Sequence, residues 1–205
     1  MKHIVEQFQH DLDYIFTEKS TQKNVVVIYS GRFQPFHKGH FETFENIKKE
    51  FVNAKIYIGT SDKVDPPKSP FNFNEKKKII TTMFNVKADE VVQVKNPYAP
   101  KEVLDGQPDD TVYVTVVGKK DADRLKGKYF EMYTDGMDMK EPYADKGYIY
   151  IAPENTTEYN GQIISGTLVR DTFANADDAD KKGLFNALYG KFNKGIFDLI
   201  TKKIA

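Results

Sequence analysis

Two histidines three positions apart, His37 and His40, close the string Gly31-Arg32-Phe33-Gln34-Pro35-Phe36-His37-Lys38-Gly39-His40. Both imidazoles can donate hydrogen bonds to phosphoryl oxygens, and Arg32 can do so bidentately. Lys38 adds a charge, and Gly31 and Gly39 let the backbone approach a ligand closely. The chain holds only four histidines and three arginines, so this is a local concentration of rare residues. The string leaves a short β-branched run, Val25 to Ser30, and enters a helical pattern. Open α/β sheets bind ligands at such a place, and a helix N-terminus there favours an anionic phosphate. A surface loop with incidental histidines would explain one histidine better than two bracketing Lys38-Gly39.

A second string, Ile164-Ser165-Gly166-Thr167-Leu168-Val169-Arg170, also opens a helix. Ser165 is a good N-cap. The N–H groups of Gly166, Thr167 and Leu168 are then expected to point out of the helix end. Thr167 adds a hydroxyl, and Arg170, one turn on, reaches the same anion. Alone, this string is only a capped helix.

Together the two strings resemble the HxGH nucleotidylyltransferase superfamily, with His37-Lys38-Gly39-His40 as its motif. The longer string is most similar to that of archaeal-type nicotinamide mononucleotide adenylyltransferases, and also resembles phage-encoded nucleotidylyltransferases of unassigned substrate. Ile164 to Arg170 resembles the superfamily's Ile-Ser-Ser-Thr-x-x-Arg motif, with Gly166 in place of the second serine. The strings lie about 125 residues apart in the family's order, and the resemblance covers most of Val25 to Thr172.

The resemblance implies a Rossmann-like fold that transfers a nucleotidyl group from a nucleoside triphosphate to a phosphate-bearing acceptor, with release of pyrophosphate. It implies His37, His40 and Arg170 as catalytic residues, His40 on the α-phosphate and His37 on the α/β region. Arg170 and Thr167 would hold the outer phosphates. Gly31, Arg32, Phe33, Lys38, Gly39, Ile164, Ser165 and Gly166 would complete the nucleotide site. ATP is the implied substrate, with Mg2+ bound mainly through its phosphates rather than by a protein cage. Nicotinamide mononucleotide is the implied acceptor, giving NAD. A cytidylyltransferase acting on a sugar or alcohol phosphate, and a nucleotide-binding module without turnover, stay open.

Weaker signals extend the site. Gly118-Lys119-Lys120-Asp121 follows a strand and is similar to a nucleotide-holding loop of relatives, which selects Gly118, Lys119 and Asp121; a strand exit with a solvated helix reads equally well. Ser69 to Lys76 resembles a stretch in which relatives place an arginine on the substrate phosphate, and Lys76 takes that position. Relatives using nicotinamide mononucleotide commonly stack its ring on a tryptophan, and this chain has none. No carboxylate pair is set for acid–base work, and no spacing marks a metal cage. His3 and His10 read as surface or packing residues.

The elements that must position these residues follow from periodicity. Ile4 to Thr17 reads as an amphipathic helix. Strands are expected at Val25 to Ser30, Ala54 to Thr60, Val91 to Val94, Thr111 to Val117 and Tyr148 to Ala152. Helices are expected from His40, from a cap at Asn74, over Asp121 to Lys126, from Ser165, and over Leu184 to Ile204 with breaks at Gly190 and Gly195. Tyr129 to Gly147 has no period and reads as a surface excursion. Strands alternating with helices predict an α/β fold with a mainly parallel sheet and additional N- and C-terminal helices. The expected organisation is a helical extension over 1–23, a nucleotidylyltransferase domain over 24–172, and C-terminal helices over 173–205 packed on the domain or on a second copy.

Composition narrows the class. The 205 residues carry 30 basic and 30 acidic side chains, which excludes a generally basic nucleic-acid coat or an acidic tail as the main theme. No cysteine is present, so disulfides, a thiolate nucleophile and Cys-ligated metals are excluded. The apolar runs are too short for a bilayer. These features predict a soluble, cytoplasmic protein, or one acting in a host cytoplasm if phage-encoded, with neither nucleic acid nor membrane as partner.

Overall fold

The computed structural model describes residues 24–153 and 157–204. The expected helix over Ile4 to Thr17, with His3 and His10, lies outside them. Six strands form one sheet: β1 (Val25–Ser30), β2 (Lys55–Thr60), β3 (Val91–Gln93), β4 (Val112–Val117), β5 (Phe130–Met132) and β6 (Gly147–Ile151). Their order is β3-β2-β1-β4-β6-β5, and every neighbouring pair is parallel. The chain runs outward from β1 to β3 and then returns to place β4 on the other side of β1. The order therefore reverses between β1 and β4, and a crevice opens beyond their carboxyl ends.

Helix α1 (Lys38–Glu50) connects β1 to β2, and α2 (Phe73–Phe84) connects β2 to β3. Short α3 (Lys101–Leu104) precedes β4, and α4 (Lys119–Leu125) follows it. The central strands are covered on both faces, which is why they read as continuous apolar runs. Val27, Val112, Val114 and Val116 pack with Phe44 and Ile47 of α1 on one side. Val26, Ile28 and Tyr113 pack with Leu104 on the other.

A hairpin of β7 (Glu158–Tyr159) and β8 (Gln162–Ile163) leads into α5 (Gly166–Asn175), α6 (Asp178–Tyr189) and α7 (Lys194–Ile204). These three helices share a second core with α2, built on Phe71, Ile79, Met83, Phe173, Phe185 and Phe197. Lys203 closes it with an ion pair to Glu75 at 3.0 Å.

Several boundaries differ from expectation. The cap of α2 is Asn72, not Asn74: its side chain accepts from the Glu75 N–H at 2.9 Å, and Glu75 accepts from the Asn72 N–H at 2.9 Å. That reciprocal box needs a Glu three residues on, which only Asn72 has. Helix α1 starts at Lys38, so His37 is its cap and His40 its third residue. Gly190 ends α6 in the left-handed region at φ 68°, whereas Gly195 lies inside α7 without breaking it. Helix α6 begins at Asp178, because the Asp177 carboxylate accepts from the Asp180 N–H at 2.9 Å. The excursion Tyr129 to Gly147 contributes β5, whose three residues are too few to show a period.

Candidate active site

At the carboxyl ends of β1 and β4 lies a cavity of about 750 Å³. Its walls come from several segments. The β1–α1 loop supplies Gly31, Arg32, Phe33 and Gln34, and α1 supplies Gly39, His40 and Thr43. Gly118 and Lys119 stand at the start of α4, and Gly166, Thr167 and Arg170 on α5. The two strings are thus brought to one cavity, with the N-termini of α1 and α5 facing it.

The β1–α1 loop is shaped by aromatic packing. Phe33 takes φ 46°, an uncommon conformation for a bulky residue. Its ring fills the space beside Gly31, where a Cβ would stand 2.6 Å from ring carbons. Gly31 is therefore needed for the Phe33 ring, in addition to any approach by a ligand. Phe33 and Phe36 hold the His40 ring, with centroids 5.1 and 5.3 Å away.

The two imidazoles lie 3.8 Å apart between centroids, but they are not equivalent. His40 lines the cavity, and its Nδ1 accepts the His37 N–H at 3.2 Å. With Nδ1 accepting, a neutral His40 must carry its proton on Nε2. His37 is 3% exposed, and its Nδ1 is buried without a hydrogen-bond partner. Burial lowers the His37 pKa to about 4. Burial, then the neighbouring His37, holds His40 well below the usual histidine range. Both are neutral at neutral pH. His40, and not His37, is among the residues that line the cavity.

On α5, the Ser165 hydroxyl accepts from the Leu168 N–H at 3.1 Å. Leu168 is therefore not a free donor, and the outward N–H groups are those of Gly166 and Thr167. Arg170 Nη2 donates to Thr167 Oγ1 at 3.3 Å, and Nη1 to the Gln34 carbonyl at 3.3 Å. A Cβ on Gly166 would lie 2.9 Å from that Nη1. Ile164 is buried in the second core and acts from behind the cap.

Other expected residues stand elsewhere. Lys38 is exposed and pairs with Glu42 at 3.7 Å. Asp121 pairs with Arg124 at 3.2 Å, and burial, then this carboxylate, raises the pKa of the nearby Tyr98 phenol. Lys76 is 1% exposed, and its ammonium donates to the Ser61 carbonyl at 2.6 Å and Thr60 Oγ1 at 3.1 Å. It does not line the cavity. Burial lowers its pKa to about 8.

Lys68, from the loop before α2, lines the cavity without having been singled out. Nothing distinguishes it in a lysine-rich, aperiodic loop. Thr43 and Gln34 were also missed, although both follow the motif's spacing: Thr43 is one turn beyond Gly39, whose carbonyl its hydroxyl bonds at 3.0 Å. Among the described residues, no group of three or more His, Asp or Glu side chains is placed to hold a metal ion. No described helix is long and apolar enough to cross a membrane.

The cytidylyltransferase-like family model matches residues 28–172. The nicotinamide-nucleotide adenylyltransferase of Methanococcus maripaludis is 31% identical over 136 residues, 65% of this chain and 72% of its own. A bifunctional NMN adenylyltransferase/ADP ribose pyrophosphatase from Francisella tularensis, complexed with AMP and Mn ion, shares the fold with a TM-score of 0.52 at 20% identity. That match covers 87% of this chain and 48% of the other, so this chain spans about half the length of the Francisella protein. The nicotinic acid mononucleotide adenylyltransferase of Plasmodium falciparum, complexed with APC, gives a TM-score of 0.50 at 12% identity, covering 87% and 95%.

Proposed function

Because the chain belongs to the cytidylyltransferase-like family of nucleotidylyltransferases, we propose that it transfers AMP from ATP to nicotinamide mononucleotide, forming NAD and releasing pyrophosphate. The observation that carries this reading is the convergence of His40, Thr167 and Arg170 on one cavity in a chain 31% identical to an enzyme of that name. We assign residues 24–172 as the catalytic domain and the helices after it as a layer that backs α5.

The reaction needs no enzyme nucleophile. A phosphate oxygen of the acceptor attacks the α-phosphorus, and the bond from that phosphorus to the bridging oxygen of the pyrophosphate breaks. Charge then gathers on the equatorial oxygens and the leaving group, so catalysis is positioning and electrostatic stabilisation. His40 offers its Nε2–H to the α-phosphate. Edge and tilted contacts with Phe33 and Phe36 hold that ring in place. His37 works through His40, its N–H selecting the tautomer. Thr167, Arg170 and the N–H groups of Gly166 and Thr167 receive the outer phosphates. Arg32, Lys68 and Lys119 neutralise charge around the mouth. A divalent cation, Mg2+, enters with the triphosphate as part of the substrate.

Pyrophosphate release with each nucleoside triphosphate and a panel of phosphorylated acceptors tests the reading. Release with ATP and nicotinamide mononucleotide alone supports it. Release with CTP and a sugar or alcohol phosphate would replace it with the cytidylyltransferase reading, and tight ATP binding without turnover on any acceptor would make the chain a binding module.

A further inference from the structure

The loop carrying His37 and His40 is held by one buried side chain that the phosphate chemistry leaves unused. Gln34 is 6% exposed. Its Nε2 donates to the Phe71 carbonyl at 2.9 Å, and its Oε1 accepts the Phe71 N–H at 2.9 Å. Two such bonds to one backbone unit fix the amide plane and its rotamer. Phe71 is itself a firm anchor: its ring is fully buried in the second core, and it directly precedes the Asn72 cap of α2. The Gln34 carbonyl, in turn, accepts from Arg170 Nη1 at 3.3 Å. A Cβ on Gly166 would stand 3.3 Å from the same oxygen, so the start of α5 lies close to it. One residue thus joins the histidine loop, the segment leading into α2, and the arginine of the second string.

Building on the nucleotidyl-transfer reading, we propose that Gln34 is a positioning residue for Arg170. The amide clamp on Phe71 aims the Gln34 carbonyl at the guanidinium and sets where it meets the triphosphate. Without the clamp, the loop keeps its covalent path and the Phe33 packing, but the carbonyl is free to rotate. A misplacement of about 1 Å at a group that stabilises the transition state costs on the order of 100-fold in rate.

A double-mutant cycle in kcat/KM for ATP tests this. Gln34→Leu is expected to lower kcat/KM by about 10- to 100-fold. In an Arg170→Ala background it should cost about 3-fold or less, because the clamp acts through the guanidinium. Losses that simply multiply in the double variant would overturn the proposal. A Gln34→Leu enzyme with a lowered Tm but wild-type kcat/KM per folded molecule would do so too.

Should Gln34→Leu fail to fold, Gln34→Glu takes its place. An ionised Glu keeps the acceptor for the Phe71 N–H but turns lone pairs toward the Phe71 carbonyl; a protonated one restores the donor. Burial raises that carboxyl's pKa, so activity relative to wild type should climb as pH falls from about 8 to about 6. A ratio flat with pH would count against the clamp. If the wild type releases no pyrophosphate with any acceptor, the activity reading fails on its own. The cycle is then read in ATP affinity by calorimetry, where non-additive losses support the clamp and additive losses overturn it.

Discussion

A neutral His40 carries its proton on Nε2 because its other nitrogen accepts the His37 N–H, and in the proposed mechanism that proton faces the α-phosphate. A preorganised donor of this kind loses about 100-fold or more in rate when removed. His40→Ala should therefore slow pyrophosphate release by that factor with the fold intact, which a rate assay beside a circular dichroism melt would check. His37 contributes differently. Its folded pKa, about 4, lies below the ordinary 6.5. The sign follows: between those values the unfolded chain binds more protons, so the neutral buried ring stabilises fully above pH 6.5 and loses that contribution as pH falls through about 4. Wild-type Tm should drop across this window, and His37→Asn should show a smaller drop over the same range. Equal slopes would assign the acid sensitivity to other groups, His40 among them. Lys76 shows why residue type alone is not enough. A lysine suits a phosphate, but this one donates hydrogen bonds to Thr60 Oγ1 and the Ser61 carbonyl inside the fold.

Among the elements, the helix starts do most of the positioning. Helix α1 presents His40, α5 presents Thr167 and Arg170, and α2 anchors the loop that carries Lys68. Asn72 and Glu75 cap α2 reciprocally, and Lys203 of α7 holds the same Glu75. Asn72→Ala should cost about 1 kcal/mol of stability, read as a lower denaturation midpoint. An unchanged midpoint would mean that Glu75 and Lys203 alone hold the helix start. The central strands were legible from their β-branched runs, since a buried parallel strand has apolar residues on both faces. Strand β5 was not, because its three residues depend on pairing with β6 rather than on any pattern of their own. The Asn72 cap was legible in principle from its Asn-x-x-Glu spacing.

At the scale of the whole molecule, the second core ties the helices after Phe173 to the site. Phe185 sits at its centre, with ring contacts to Tyr189, Phe192 and Phe197. Phe185→Ala should destabilise the fold by about 3–5 kcal/mol. Because α5 is backed by this core, ATP affinity should weaken as well; calorimetry on the folded fraction would measure it, and wild-type affinity there would separate the core from the site. The sequence by itself determined the two strings, their order and the α/β class, because capping, glycine spacing and strand periodicity are local properties. Tertiary structure alone decided which side chains reach the cavity. The return of the chain from β3 to β4 makes the order reverse beside β1, and that reversal joins strings about 125 residues apart. Side-chain packing brings in Lys68 and Gln34, buries Lys76 and turns Lys38 outward. No local pattern marks which of many lysines faces a cleft, because that direction is set by the neighbours each one packs against.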